Sequence, residues 1–249
     1  MNQAKLFPSP DLITVTPSMV ADYLRCPLRF KYLYLERKKG KLTKFYFRIG
    51  HLLHSIIYEF TRNPSMKFLE LERSLKEKWD SNWFSNSEEE KKWYQGAFLC
   101  LKNFWEEFNK MKKNGKILVG SEIPFKIRFK KFLLSGRVDA LLKNQNGEYE
   151  ILEYKFGHEN FEEDLVLLKE SYQPLFYYLG LKYGYKIEPA LFTFFFLLPN
   201  QQVKMDLKEI TQETIEKFYS LIEEMFTRKD YPPRKNLYCQ DCVFDCPLK

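Results

Sequence analysis

The chain has 249 residues, of which 45% are hydrophobic and 17% aromatic; this is ample material for a sizeable core and excludes wholesale disorder. No run approaches ~18 consecutive apolar residues, so no membrane span is expected, and the opening residues lack the basic-then-apolar order of a secretion signal. The formal net charge of +7 is concentrated in two stretches: residues 25–44 hold eight basic side chains and one acidic, and residues 110–143 hold ten and two.

The remainder of the chain is net acidic. Two basic blocks on an acidic body suggest a surface for an anionic partner, the plain alternative being solvated lysine-rich faces. A soluble, intracellular (cytoplasmic) protein is the expectation.

Residues 1–12 read as a loose lead-in. Thr16-Pro17 is a helix start, with a capping hydroxyl followed by proline at the first helical position. The helix runs to Arg25, and Cys26-Pro27 breaks it and opens a short second one to about Leu35. Residues 36–44 read as a basic connector. A helix from about Phe47 to Arg62 follows, ended by Asn63-Pro64. Residues 66–113 read as two more helices, the second starting near Ser87 with three glutamates in its first turn. Trp93, Ala97, Cys100, Phe104, Phe108 and Met111 share one face of that second helix, which makes Cys100 a core thiol.

The period then changes to that of strands: 117–129, 132–142 and 148–155, with Asn146-Gly147 as a hairpin turn between the last two. A helix from near Ser171 to Tyr183 carries Pro174 in its first turn. Residues 187–198 form a buried strand closed by Pro199-Asn200, and 211–228 form an amphipathic helix with Ile215, Phe218, Ile222, Met225 and Phe226 on one side.

One site emerges from the hairpin. With the turn near Asn146, Asp139 falls opposite Glu153, their Cβ atoms roughly 5 Å apart. Glu153 and Lys155 are two apart on a strand and face the same side. Adjacent half-buried carboxylates need a cation between them, and oxygen ligands suit Mg²⁺ or Mn²⁺. Such a site could activate water on a phosphodiester, with Lys155 steadying developing charge; the plain alternative is a cross-strand salt bridge. The only two acids in the block 110–143 are Glu122 and Asp139, on neighbouring strands. His54 lies one helical turn after Gly50, and Gln173 and Tyr177 lie one turn apart. Each of these pairs alone reads as an ordinary helix face.

The ordered set Gly50-x-x-x-His54, Glu122, Gly136-x-x-Asp139, Glu153-x-Lys155 and Gln173-x-x-x-Tyr177 resembles the RecB-like branch of the PD-(D/E)XK nuclease superfamily. The segment TPSMVADYLRCPLRFKYLYL is similar to that branch's opening, and the likeness spans about residues 14–246. The resemblance implies an α/β restriction-endonuclease-like core (αβββαβ, mixed sheet) forming a single domain over 1–249, with a helical N-terminal part and a helical insertion at 66–113. His54, Asp139, Glu153 and the Tyr154 carbonyl would be metal ligands and Lys155 catalytic. Glu122 would support the site, and Gln173 and Tyr177 would contact substrate or order it. Arg137, Lys130 and Lys131 of the larger basic block would steer phosphates.

Cys239-x-x-Cys242-x-x-x-Cys246 places three thiols on one short stretch, and Cys26 is the candidate fourth ligand. Four thiolates suit an iron–sulfur cluster or Zn²⁺, and the residues alone leave that choice open. The resemblance implies a [4Fe–4S] cluster, with Zn²⁺ second, clipping the two ends of the chain together. The expected function is a metal-dependent deoxyribonuclease, an exonuclease on single-stranded or frayed DNA ends, working with a helicase- or integrase-type partner. The alternative is a catalytically weak nuclease-fold subunit that binds DNA as a scaffold.

Overall fold

The computed structural model describes residues 12–38, 45–156, 171–236, 239, 242–246 and 248. Most of the expected elements are present. Helix α1 (Pro17–Arg25) is capped by Thr16, whose hydroxyl accepts from the Met19 N–H at 3.3 Å, and short α2 (Pro27–Phe30) follows the break at Cys26. Helices α3 (Phe45–Arg62), α4 (Phe68–Lys78) and α5 (Ser87–Lys113) complete the N-terminal half. The cap of α5 is Asn86 rather than Ser87: its side chain accepts from the Glu89 N–H at 2.8 Å. The acids of the first turn and Lys110, Lys112 and Lys113 of the last turn oppose the helix dipole at each end. Part of the basic connector, residues 39–44, lies outside the described residues.

Among the described residues the sheet has six strands: β1 (Ile13–Val15), β2 (Ile117–Phe129), β3 (Phe132–Lys143), β4 (Tyr149–Lys155), β5 (Pro189–Phe196) and β6 (Gln201–Asp206). The β3–β4 turn is where Asn146-Gly147 predicts it, with Gly147 at φ +84° and its N–H on the Asn144 carbonyl at 3.0 Å. Two strands go beyond the sequence expectation. β1 lies between the lead-in read for residues 1–12 and the Thr16 cap, and pairs parallel to β3. β6 follows the Pro199-Asn200 turn and pairs antiparallel to β5, so that turn is a hairpin and not a terminus. Both strands are short, and β6 is mostly exposed on its polar positions, so neither carries a long apolar pattern. Helices α6 (Gln173–Tyr185) and α7 (Gln212–Thr227) complete the described elements, α6 bridging the parallel pair β4 and β5.

Helices cover both faces of the sheet. On one side α1, α2, α6 and α7 enclose Val138, Ile151, Phe192, Phe194 and Phe196. On the other, α3, α4 and α5 enclose Ala140, Leu142, Leu152, Tyr154 and Phe195, with Cys100 fully buried as expected. Burial on both faces is why 190–198 reads as one continuous apolar run. Residues 66–113 therefore supply a large part of the second core.

Two features of the sheet position the site. β2 runs along one edge of β3, while β1 and β4 share the other: β1 pairs with Phe132–Leu134 and β4 with Ala140–Lys143. Among the described residues, 135–139 have no strand partner on that edge, and a cleft opens there. The second feature is Phe125 on β2. A Cβ placed on Gly136 or on Gly180 would each stand 2.6 Å from its ring, so the ring is clasped between β3 and α6 at glycines on both sides. Gly180→Ala is expected to lower stability by about 1–3 kcal/mol despite the better helix propensity of alanine, because the buried ring cannot yield. In thermal melts that is a fall of roughly 2–10 °C, and an unchanged or raised Tm would count against the clasp.

Candidate active site

The candidates converge at the split in the sheet. His54 enters from α3; Glu122 and Asp139 come from β2 and β3. A ligand atom from each lies within 4.8 Å of the others. His54 Nδ1 stands 3.7 Å from Asp139 Oδ1 and 3.9 Å from Glu122 Oε1. Glu122 reaches this position with φ at +51°, in the left-handed region, at the step where the β2–β3 ladder passes from the Ser121–Ala140 pair to Ile123–Val138. A non-glycine residue held there costs of order 1–3 kcal/mol and is characteristic of a site built for something other than stability.

The extended register puts Asp139 opposite Glu153, one step beyond the Ala140–Leu152 pair. Asp139 Oδ2 accepts the Tyr154 N–H at 2.8 Å, so its carboxylate is gripped by the next strand's backbone. Lys155 Nζ lies 2.8 Å from Glu153 Oε1 and 3.1 Å from Gln173 Oε1. Gln173 Nε2 donates to Glu153 Oε1 at 2.7 Å and to the Tyr177 hydroxyl at 3.1 Å. Glu153, Lys155, Gln173 and Tyr177 thus form one hydrogen-bonded array between β4 and α6.

Burial and charge are out of balance here. Asp139 and Glu153 are 8% and 5% exposed, and among the described residues the buried Glu153 Oε2 has no hydrogen-bond partner. Burial, then the charge of Glu153, pushes the Asp139 carboxyl well above the usual carboxylate range. Burial pushes His54 down, toward the neutral imidazole that a metal ligand needs. The Tyr177 phenol is driven well up by burial and by Glu153, so it stays a neutral hydroxyl. An orphaned carboxylate oxygen beside a His/Glu/Asp cluster is the arrangement a hard divalent cation satisfies, and the N/O donor set fits Mg²⁺ or Mn²⁺. Tyr154 presents its N–H at the centre, and its ring turns away to pack on Phe104 at a centroid distance of 5.4 Å.

The cleft, about 1120 Å³ in volume, is lined by Glu153, Lys155, Gln173 and Tyr177 together with Gly136 and Arg137. Arg25, Lys126 and Arg234, none of them among the sequence candidates, also line it. Arg25 and Lys126 fall within the basic blocks; Arg234 belongs to neither, and only the return of the tail brings it here.

The larger basic block is dispersed by the fold. Arg137 pairs with Glu122 at 3.1 Å at the site. Lys130 and Lys131 are at the far turn of the β2–β3 hairpin, bound to Glu216 at 2.5 Å and Glu223 at 2.6 Å of α7. The structure does not bring these two lysines to the cleft. Lys116 is bound to buried Glu150, and Lys143 lies over the Tyr149 ring. Of this block, Lys126 and Arg137 line the cleft.

Cys26, Cys239, Cys242 and Cys246 ring one small cavity, as expected from their spacing. Three of the sulfurs accept backbone N–H groups: Cys26 from Arg234 at 3.5 Å, Cys239 from Asn236 at 3.3 Å and Cys246 from Leu248 at 3.5 Å. Amide donors aimed at sulfur suit thiolate ligands, so the donor set fits an iron–sulfur cluster or Zn²⁺. Tyr32 and Phe244 pack at 5.3 Å between centroids and hold the tail against the N-terminal helices.

Residues 14–246 match the family described as the PD-(D/E)XK nuclease superfamily. No curated protein matches the chain. Among solved structures, the crystal structure of SSO0001 is similar at 16% identity over 98% of this chain and 89% of that one, with a TM-score of 0.47.

Proposed function

The chain belongs to the PD-(D/E)XK nuclease superfamily, and from that premise we propose that it is a deoxyribonuclease that degrades single-stranded or frayed DNA from its ends. The observation that carries the reading is the buried Glu153 Oε2, which has no partner among the described residues, beside the His54, Glu122 and Asp139 cluster.

His54, Glu122, Asp139, Glu153 and the Tyr154 carbonyl are the residues that would hold Mg²⁺ or Mn²⁺. A divalent cation there supplies Lewis-acid polarisation of the scissile phosphodiester and lowers the pKa of water. The Tyr154 N–H fixes the Asp139 carboxylate. Lys155 sets its ammonium beside the reacting phosphate, where it orients water and steadies developing negative charge. Gln173 bridges Lys155 and Glu153, and Tyr177 holds Gln173. Half-buried aromatic side chains at the cleft, Phe156 and Tyr172, offer stacking surfaces for unpaired bases, which supports a single-stranded substrate.

The cysteine site is read as a [4Fe–4S] cluster, with Zn²⁺ the second candidate. Iron and sulfide analysis of anaerobically purified protein separates the two. A helicase- or integrase-type partner and an intracellular setting belong to the same reading.

The test is an end-dependence panel with Mn²⁺. Linear single-stranded DNA is expected to be degraded, covalently closed single-stranded circles spared, and RNA resistant, with EDTA stopping the reaction. Cleavage of the circles would remove the exonuclease assignment. Binding of all substrates without turnover would support the scaffold alternative.

A further inference from the structure

We infer that Arg25 and Arg234 form a second phosphate-binding station for the nucleic-acid strand, separate from the carboxylate site, and that Cys26 and Cys239 hold it in place. The inference rests on the nuclease reading and deepens it by naming where a non-scissile phosphate is gripped.

The catalytic cleft and the cysteine cavity share two lining residues, Arg25 and Arg234. Arg25 ends α1 and directly precedes Cys26. Arg234 is built into the cysteine site by its main chain: its N–H donates to Cys26 Sγ at 3.5 Å, and the N–H of Asn236, two residues on, donates to Cys239 Sγ at 3.3 Å. Its guanidinium donates to the Leu24 carbonyl, and the Asn236 side-chain amide donates to the Arg25 carbonyl at 3.1 Å. The sulfur ligands therefore set the backbone that aims both guanidinium groups at the wall between the two cavities.

Charge favours an anion at this wall. The nearby acid is Asp22, 3.7 Å from Arg25, and its carboxylate is bonded by Arg29 Nε at 2.9 Å and the Tyr34 hydroxyl at 2.8 Å. Arg25 and Arg29 share that carboxylate, whereas the Arg234 guanidinium is bonded to the Leu24 carbonyl. At the catalytic end the balance is reversed: Glu122, Asp139 and Glu153 repel phosphate until a cation neutralises them. Affinity for a polyanionic strand must come from cations elsewhere along the cleft, and the planar guanidinium fork matches phosphate oxygens. One strand lying in the cleft would pass a phosphate at the carboxylates and another at these arginines.

The experiment measures binding of a fluorescent 15-nucleotide single strand by anisotropy, without added divalent cation, across a salt series. The Arg25→Gln/Arg234→Gln double variant is expected to raise Kd about tenfold or more. It should also flatten the salt dependence by roughly 0.7 in log–log slope, the value for one lost phosphate contact. Lysine at both positions should restore most of the slope. Manganese-dependent hydrolysis of bis(4-nitrophenyl) phosphate, too small to span both stations, should fall by much less than the affinity for the 15-nucleotide strand. Cys239→Ser should reproduce the binding loss, and adding Arg234→Gln to it should cost little more, with far-ultraviolet circular dichroism reporting the fold. Wild-type Kd and slope in the double variant would overturn the inference, as would lysine variants that bind as weakly as the glutamine ones. A wild-type protein that binds no oligonucleotide would overturn the nuclease reading and this inference with it.

Discussion

Asp139→Asn is expected to abolish DNA cleavage and, in the same protein, to raise the melting temperature measured in EDTA. The loss in kcat should be about 10³-fold or more, since the carboxylate is central to the proposed metal site and a well-placed metal supplies several kcal/mol of transition-state stabilisation. The gain in stability follows from the same burial. The folded-state pKa of Asp139 is raised by burial and by Glu153, so the native state binds its proton more tightly than the unfolded chain does. Stability then falls as pH rises from the ordinary carboxylate range, ~3.9, through the raised folded value, and at neutral pH the ionised group is a liability. Asparagine keeps an acceptor for the Tyr154 N–H and removes that liability. A gain of about 1 kcal/mol or more is expected, roughly 2–4 °C in a chain of this size. Mn²⁺ should reverse the order. At a hundred times its Kd the cation stabilises the wild type by about 2.7 kcal/mol, or roughly 5–10 °C, and should leave the variant unmoved. Equal Mn²⁺ shifts in the two proteins would place the cation elsewhere.

The second large effect belongs to Lys155. Replacement by methionine, which keeps most of the side-chain volume, is expected to lower kcat about 10²- to 10³-fold with KM for DNA little changed. Glu153 Oε1 keeps its bond from Gln173 at 2.7 Å, so the array loses its cation and not its connectivity. Arginine is not expected to rescue, because the guanidinium fork is larger than the space between Glu153 Oε1 and Gln173 Oε1 that the ammonium occupies. Single-turnover kinetics at saturating DNA reads the chemical step directly. A rate within tenfold of wild type for Lys155→Met would remove the lysine from the chemistry.

The carboxylate pair of the proposed metal site was legible because it depends on short-range rules. The Asn146-Gly147 turn sets the hairpin register, the register sets Asp139 against Glu153, and strand alternation sets Lys155 beside Glu153. None of these steps needs knowledge of the rest of the fold. The helical faces around Phe104 and Phe218 were legible for the same reason, since a repeat near 3.6 residues reports burial locally. The short edge strands β1 and β6 were not, because a three-residue strand with one buried side chain or a polar six-residue run carries no periodic signal; their pairing is decided by the strands beside them.

Charge was the least legible property. As a sequence, residues 110–143 form a basic block with two acids, which suggested a broad phosphate-guiding face. Folding distributes that block over the end of α5 and two long strands. Lys130 and Lys131 go to the acids of α7, Lys116 to Glu150, and Lys126 and Arg137 to the cleft. Sequence by itself determined the long elements, the hairpin and the Asp139–Glu153–Lys155 array, because turn chemistry and side-chain periodicity act within a few residues. Only tertiary structure decided which cations face the substrate, that Glu122 turns its carboxylate toward His54, and that Arg234 joins Arg25 at the cysteine site. A side chain's electrostatic partners are set by which surfaces the packed core brings together, and neighbours along the chain do not encode that.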